Sequence, residues 1–210
     1  MNRRLLVLAC AILAANILAV APAAAQSLPE VRVAFINDLE GAEWAASFRD
    51  SLRLEIRRIL EVDYTVVMPS ELDRTADGSV GSVRAELESL LADRQVDLII
   101  ATGPLGSREA GRMSQLARPV IGTWVLDPAI QGIPLQDGTS GLPNFTYITV
   151  GNLLDADMTA LDMMVPYQHL AVVGSSGWVA ALPGDGSALE RITSRKTSFV
   201  VGDGSVESVL

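Results

Sequence analysis

The chain has 210 residues, with 16 Lys and Arg, 25 Asp and Glu, and Cys10 as its single cysteine. Residues 27–210 contain no cysteine and, without Arg3 and Arg4, have 14 basic against 25 acidic residues, a net charge of −11. This acidity argues against binding to nucleic acid or anionic lipid, because both need basic patches. With no disulfide and no cysteine-based metal site, the fold must depend on its hydrophobic core, and roughly 184 residues are enough for one sizeable domain or for one and a fraction.

The first 26 residues have the three zones of a secretory signal peptide. Arg3 and Arg4 form the positive n-region, the apolar run 5–20 follows, and small residues around Ala25 suit a signal peptidase. The apolar run is shorter than the roughly 20 residues that a membrane-spanning helix needs. We therefore predict cleavage near Ala25 and a periplasmic protein. Because Cys10 lies inside the apolar run and not at its end, lipoprotein anchoring there is disfavoured.

Strands and helices are predicted to alternate through the rest of the chain. Short apolar runs predict strands at 31–36, 64–68, 96–101, 119–125, 145–150, 169–173 and 197–201. Helices are predicted at about 41–60, 82–94, 107–117, 155–164 and 178–192, and polar loops at 70–81 and 127–144. In the first helix, apolar residues such as Trp44 and Phe48 recur three and four apart, which gives one apolar face. Ser107 is expected to be the N-cap of the third helix.

The strands are continuous and apolar, as is typical of parallel strands buried on both faces. Together with the alternation of strands and helices, this predicts an α/β fold with a doubly wound parallel sheet.

Motifs for catalysis are missing from the sequence. The single histidine, His169, opens a predicted strand, and no Gly-x-Ser-x-Gly nucleophile elbow is present. Neither a Gly-x-Gly-x-x-Gly motif nor a P-loop occurs. Asp127 and Asp137 lack the regular spacing of metal ligands. We therefore predict no enzymatic activity, no cofactor and no metal site.

In an open parallel sheet, ligands bind beyond the carboxyl ends of the strands. The loops after the first, third and fourth predicted strands therefore define a candidate cleft, with Glu40 beside it. The candidate ligand-binding residues are Asn37, Asp38, Thr102, Gly103, Pro104, Leu105, Thr123 and Trp124. The turn at 102–106 leads into a helix, where free backbone N–H groups favour an anion such as a substrate carboxylate. An ordinary turn is the alternative, and Trp124 is either a cleft residue or a core residue.

The order of these elements resembles the periplasmic substrate-binding proteins of ABC transporters, in the type I two-lobed class and the branch that includes aromatic amino-acid binders. The resemblance covers about residues 31–210. It is carried by Val-Ala-Phe-Ile-Asn-Asp at 33–38, Val-Asp-Leu-Ile-Ile-Ala-Thr-Gly at 96–103 and Arg-Pro-Val-Ile-Gly-Thr at 118–123. Phe-Thr-Tyr-Ile-Thr-Val-Gly-Asn at 145–152 is similar to the start of the crossover between lobes.

This resemblance implies a periplasmic-binding-protein-like N-terminal α/β lobe at 27–152, after the signal peptide at 1–26. A crossover helix and a partial second α/β lobe would follow at 153–210, so the second lobe is expected to be truncated. The resemblance also implies a monomer that captures a small organic ligand, with amino acids as one candidate class, for the membrane subunits of an ABC transporter. The alternative is an envelope interaction or sensory module with the same fold and no transported ligand.

Overall fold

The computed structural model describes residues 27–38, 43–149, 151, 153–182 and 187–202. The predicted signal peptide with Cys10 and Ala25, and also Glu40, lie outside these residues. Within the described part of the chain, no helix is long and apolar enough to cross a membrane.

Six strands of the described residues form one sheet. They are β1 Glu30–Asn37, β2 Thr65–Val67, β3 Asp73–Thr75, β4 Leu98–Ala101, β5 Val120–Val125 and β6 Phe145–Thr149. The strand order is β2-β1-β4-β5-β6, with β3 paired to β1, and every pairing is parallel. The chain leaves β1 for β2 on one side and returns to β4 on the other. The order therefore reverses between β1 and β4, where open α/β sheets bind their ligands.

Seven α-helices are described around this sheet and after it. They are α1 Glu43–Leu60, α2 Val80–Ala92, α3 Pro104–Gly111, α4 Pro128–Gln131, α5 Leu153–Met164, α6 Ser176–Ala180 and α7 Ser187–Thr193. Two further strands, β7 His169–Gly174 and β8 Lys196–Val201, pair in parallel as a separate two-stranded sheet. We call the part of the chain from α5 to β8 the second unit.

β1 is buried on both faces because its side chains alternate in direction. Val33 and Phe35 belong to a core shared with α1, whereas Ala34 and Ile36 belong to a core shared with α2 and α3. Their helical partners are Leu52 and Ile56 on the first face, and Val83, Leu87, Leu90 and Leu105 on the second. Helices thus cover both faces of a parallel sheet. The predicted α/β class is confirmed, and the arrangement is compatible with a doubly wound sheet.

Both predicted loops contain short elements. A 3-10 helix, Ser70–Leu72, and β3 interrupt the first loop, because the buried side chains of Leu72 and Ala76 hold this segment against the core beside β1. In the second loop, the carboxylate of Asp127 accepts a hydrogen bond from the Ile130 N–H at 2.9 Å and caps α4. An Asp cap followed by proline at the first helical position is a known helix start.

The third helix begins three residues earlier than predicted, and Ser107 is not its N-cap. Gly103 is the N-cap and Pro104 occupies the first turn, where proline loses no hydrogen bond. The Ser107 hydroxyl lies within that turn and donates to the Gly103 carbonyl at 2.8 Å. The helix also ends at Gly111, not near residue 117. The helix predicted over 178–192 is two helices, α6 and α7.

The core packing predicts the effect of a truncation in α2. Leu87 is buried between α2 and the sheet, so Leu87→Ala should lower the free energy of unfolding by about 2–5 kcal/mol. Leu54→Ala is the matched control, because Leu54 lies on α1 but is 66% exposed. Urea unfolding measures both. Equal effects of the two substitutions would contradict the described core.

Candidate functional site

The predicted ligand-binding residues come together at the carboxyl ends of β1, β4 and β5. The hydroxyl of Thr102, after β4, lies 3.1 Å from the Ile36 carbonyl and 3.3 Å from Oδ1 of Asn37 at the end of β1. The hydroxyl of Thr123 in β5 donates to the Ala101 carbonyl at 3.0 Å. Both threonines therefore join neighbouring strands, and they position this edge of the sheet.

The carboxylate of Asp38 lies at the N-terminal end of α3. Its Oδ2 accepts hydrogen bonds from the backbone N–H groups of Leu105, at 2.6 Å, and Gly106, at 2.8 Å. These are two of the N–H groups that a helix start leaves without partners, and Pro104 has no N–H. The anion predicted at this helix start is thus supplied by the protein itself in this structure, and the helix dipole stabilises its charge.

Gly103 is required by this close approach. A Cβ at this position would overlap the Asp38 carboxylate. The backbone of Gly103 is extended, with φ at −132°, so the requirement is one of space and not of conformation. Asp38 and Gly103 therefore form one structural unit across the β1–β4 boundary.

Asp38 is 6% exposed, and its Oδ1 is buried without a hydrogen-bond partner among the described residues. Burial raises the pKa of the Asp38 carboxyl, and the N–H donors of Gly106 and Leu105 oppose that rise in part. A buried carboxylate with one satisfied oxygen and one unsatisfied oxygen is a costly arrangement. It puts an acidic group at the carboxyl ends of β1 and β4.

Four aromatic rings, Trp44, Phe48, Trp124 and Trp178, pack together at the same edge, and we call them the aromatic cluster. The ring centroid of Trp124 lies 5.1 Å from that of Trp44, 6.0 Å from Phe48 and 5.5 Å from Trp178. Trp44 is 43% exposed, and the other three rings are partly exposed. Trp124 is therefore a half-buried ring with three aromatic neighbours.

Three members of the aromatic cluster were not among the predicted site residues. The sequence predicts Trp44 and Phe48 on the apolar face of the first helix and Trp178 at the beginning of a later helix. Trp44 lies in the first turn of α1 and Trp178 in α6 just after β7. Because helices that follow parallel strands begin at the carboxyl edge of a sheet, this placement was a usable signal.

The second unit contacts the same edge through α6. Arg108 of α3 donates to the Ala180 carbonyl at 2.9 Å and pairs with the buried Glu109, which also pairs with Arg84 of α2 at 2.6 Å. Gly177 packs so closely that an added Cβ would lie 3.4 Å from the Asp38 carbonyl oxygen. These contacts hold Trp178 beside Trp124.

Other candidate groups lie elsewhere or are incomplete. His169, at the beginning of β7, is 3.0 Å from the Ser198 hydroxyl. The described residues contain no group of three or more His, Cys, Asp or Glu that could hold a metal ion. A shallow depression of about 540 Å³ lies between the ends of α2 and α3, lined by residues such as Arg84, Leu91 and Arg112. Those helix ends face away from the carboxyl ends of the strands, so the depression is not the candidate site.

The Asp38–Gly103 unit predicts opposite results for two glycine substitutions. Gly103→Ala should displace the carboxylate from α3 and lower the free energy of unfolding by about 2 kcal/mol or more, since hydrogen bonds to a charged group are lost. Gly81→Ala is the control, because nothing lies within 4 Å of its added Cβ. It should leave stability unchanged or raise it by up to about 1 kcal/mol. Thermal unfolding of both variants measures these stabilities. Equal stabilities would contradict the packing of the Asp38 carboxylate against Gly103.

The burial of Asp38 also predicts a pH dependence. Because its pKa is raised in the folded protein, the folded state binds this proton more tightly than the unfolded chain. Stability should therefore fall as pH rises from the unfolded pKa of about 3.9 through the raised folded pKa. Asp38→Asn cannot ionise, so the stability difference between variant and wild type should shift toward the variant as pH rises above the unfolded pKa of about 3.9 and through the raised folded pKa. Urea titrations across this range measure it, and a constant difference would contradict the assignment.

Comparisons with protein families, curated proteins and solved structures find no match for the chain. The resemblance to substrate-binding proteins of ABC transporters remains a hypothesis that depends on the order of elements and the stretches quoted above.

Proposed function

We propose that this chain is a periplasmic solute-binding protein, or its N-terminal lobe, that captures a small organic ligand for the membrane subunits of an ABC transporter. The aromatic cluster is the observation that carries the proposal. It contains all three tryptophans of the chain, and it lies where open α/β sheets bind ligands. In this proposal the protein is a monomer, and amino acids are the first class of ligand to test.

Partly exposed aromatic rings suit a binding surface. Ligand sites are mostly apolar, with a few polar groups that fix orientation. Each aromatic contact adds about 0.5–1.5 kcal/mol beyond the burial of area. Exposed apolar surface of this kind marks interaction sites more often than it marks a core. The aromatic cluster therefore offers a ligand stacking faces that an ordinary strand end lacks.

The second unit has a defined role in this proposal. Residues 27–152 are one lobe, and the crossover helix with the two-stranded sheet at 153–210 is part of a second lobe. Trp178 of the second unit contacts Trp124 of the first. A ligand held between lobes would enter at this contact and separate the two rings. Movement of the second unit relative to the sheet would then accompany binding.

A titration of amino acids and other small organic compounds tests the proposal on the protein without residues 1–26. Tryptophan fluorescence and thermal shift should both respond to at least one compound. Trp124→Ala should weaken that binding at least about thirtyfold, as for a central aromatic contact. Tyr64→Ala is the control, because Tyr64 is 40% exposed and precedes β2 at the amino edge of the sheet. If no compound changes either signal, the proposal fails.

An envelope interaction module is the second candidate function. The end of α5 favours it, because Met163 and Met164 are 84% and 79% exposed, and exposed apolar groups mark protein contacts. A partner that binds the wild type but not the Met163→Ser/Met164→Ser double variant, in a protein with no ligand response, would support this candidate.

A further inference from the structure

The cleft's own charges restrict the ligand that it can hold. Resting on the proposed function, we propose that the site binds an organic cation with an apolar body and excludes ligands whose head group is a carboxylate. The aromatic cluster and the buried Asp38 carboxylate carry this inference together. Both belong to the carboxyl edge of the sheet, where Gly177, the residue before Trp178, packs against the Asp38 backbone.

The N–H groups of the first turn of α3, which could hold a ligand anion, already have partners within the protein. The N–H groups of Leu105 and Gly106 both donate to Asp38, and the N–H of Ser107 donates to the Gly103 carbonyl. These three N–H groups are therefore not free to bind a ligand carboxylate. A ligand carboxylate at this edge would also be repelled by an ionised Asp38, whose second oxygen is buried beside Gly103 and has no hydrogen-bond partner among the described residues.

Two basic side chains that could balance a ligand anion, Arg53 and Arg108, are already paired. Arg53 pairs with Asp73 and lies over the Phe35 ring, and Arg108 pairs with Glu109 and the Ala180 carbonyl. Both guanidinium groups are therefore engaged within the protein. Arg49 lies just over one turn beyond Trp44 on α1, and it is the basic residue whose contribution the experiment has to separate.

The rings of the aromatic cluster favour a ligand cation. The faces of aromatic rings are electron-rich, and tryptophan attracts cations most strongly. Three tryptophans and a phenylalanine in mutual contact therefore favour an ammonium group over a carboxylate. The attraction amounts to about three- to thirtyfold in affinity for a single well-placed cation. The rings and Asp38 thus both favour a ligand cation over a ligand anion.

Four compounds with the same phenyl body isolate the charge: 2-phenylethylamine, 2-phenylethanol, phenylalanine and 3-phenylpropionate. Calorimetric titration at neutral pH should give the highest affinity for the amine, at least about tenfold above 3-phenylpropionate, with the alcohol in between. Asp38→Asn should narrow the gap between amine and propionate. Arg49→Gln should leave the order of the four compounds unchanged.

A second variant keeps the inference testable if Asp38→Asn does not fold. Trp44→Leu retains an apolar side chain at an exposed position but removes the ring face. It should weaken binding of 2-phenylethylamine several-fold more than binding of 2-phenylethanol.

Each failure has its own meaning. Tighter binding of 3-phenylpropionate or phenylalanine than of the amine would overturn the charge inference and leave the proposed function standing. An amine preference that neither Asp38→Asn nor Trp44→Leu reduces would also overturn it, because the named groups would not be its source. No response to these four compounds or to the amino acids would count against the proposed function itself.

Discussion

The hydrogen bonds from the first turn of α3 to the Asp38 carboxylate are the interaction on which the carboxyl edge of the sheet depends. They join the end of β1 to the beginning of the helix that follows β4, across the point where the strand order reverses. Gly103 leaves the space for this contact. The Ser107 hydroxyl in the same turn accepts a hydrogen bond from the Trp124 N–H, so the position of α3 also fixes β5. One buried carboxylate thereby organises three strand ends.

The aromatic cluster depends on the same arrangement. Trp124 is held by β5 against α3, Trp44 and Phe48 by the start of α1, and Trp178 by the contact of α6 with α3. A buried carboxylate and partly exposed aromatic rings at one edge of the sheet differ from the predicted site, in which the helix start binds a substrate anion. The helix start has an anion, and that anion belongs to the protein.

Local patterns were sufficient to predict the α/β class and the positions of most strands, because buried parallel strands are short uninterrupted apolar runs. They were insufficient for β3, since Asp73–Thr75 is polar and is a strand only because Leu72 and Ala76 are buried on either side. Topology alone was enough to place the candidate site residues at one edge of the sheet: Asn37, Asp38, Thr102, Gly103, Pro104, Leu105, Thr123 and Trp124. The role of Asp38 as the cap of α3 could not be predicted. Asp38 is separated along the chain from Leu105 by 67 positions and from Gly106 by 68, and no local motif encodes such a contact.

The capping of α3 by Asp38 is tested most directly by amide hydrogen exchange. The exchange of the Leu105 and Gly106 amides is measured by NMR while Asp38 is titrated. If Asp38 caps α3, both amides should exchange as slowly as the interior of α3, although they are the first N–H groups of the helix, and their resonances should shift together as Asp38 is protonated. Exchange as fast as at an open helix end, or resonances that do not respond to that titration, would contradict the account.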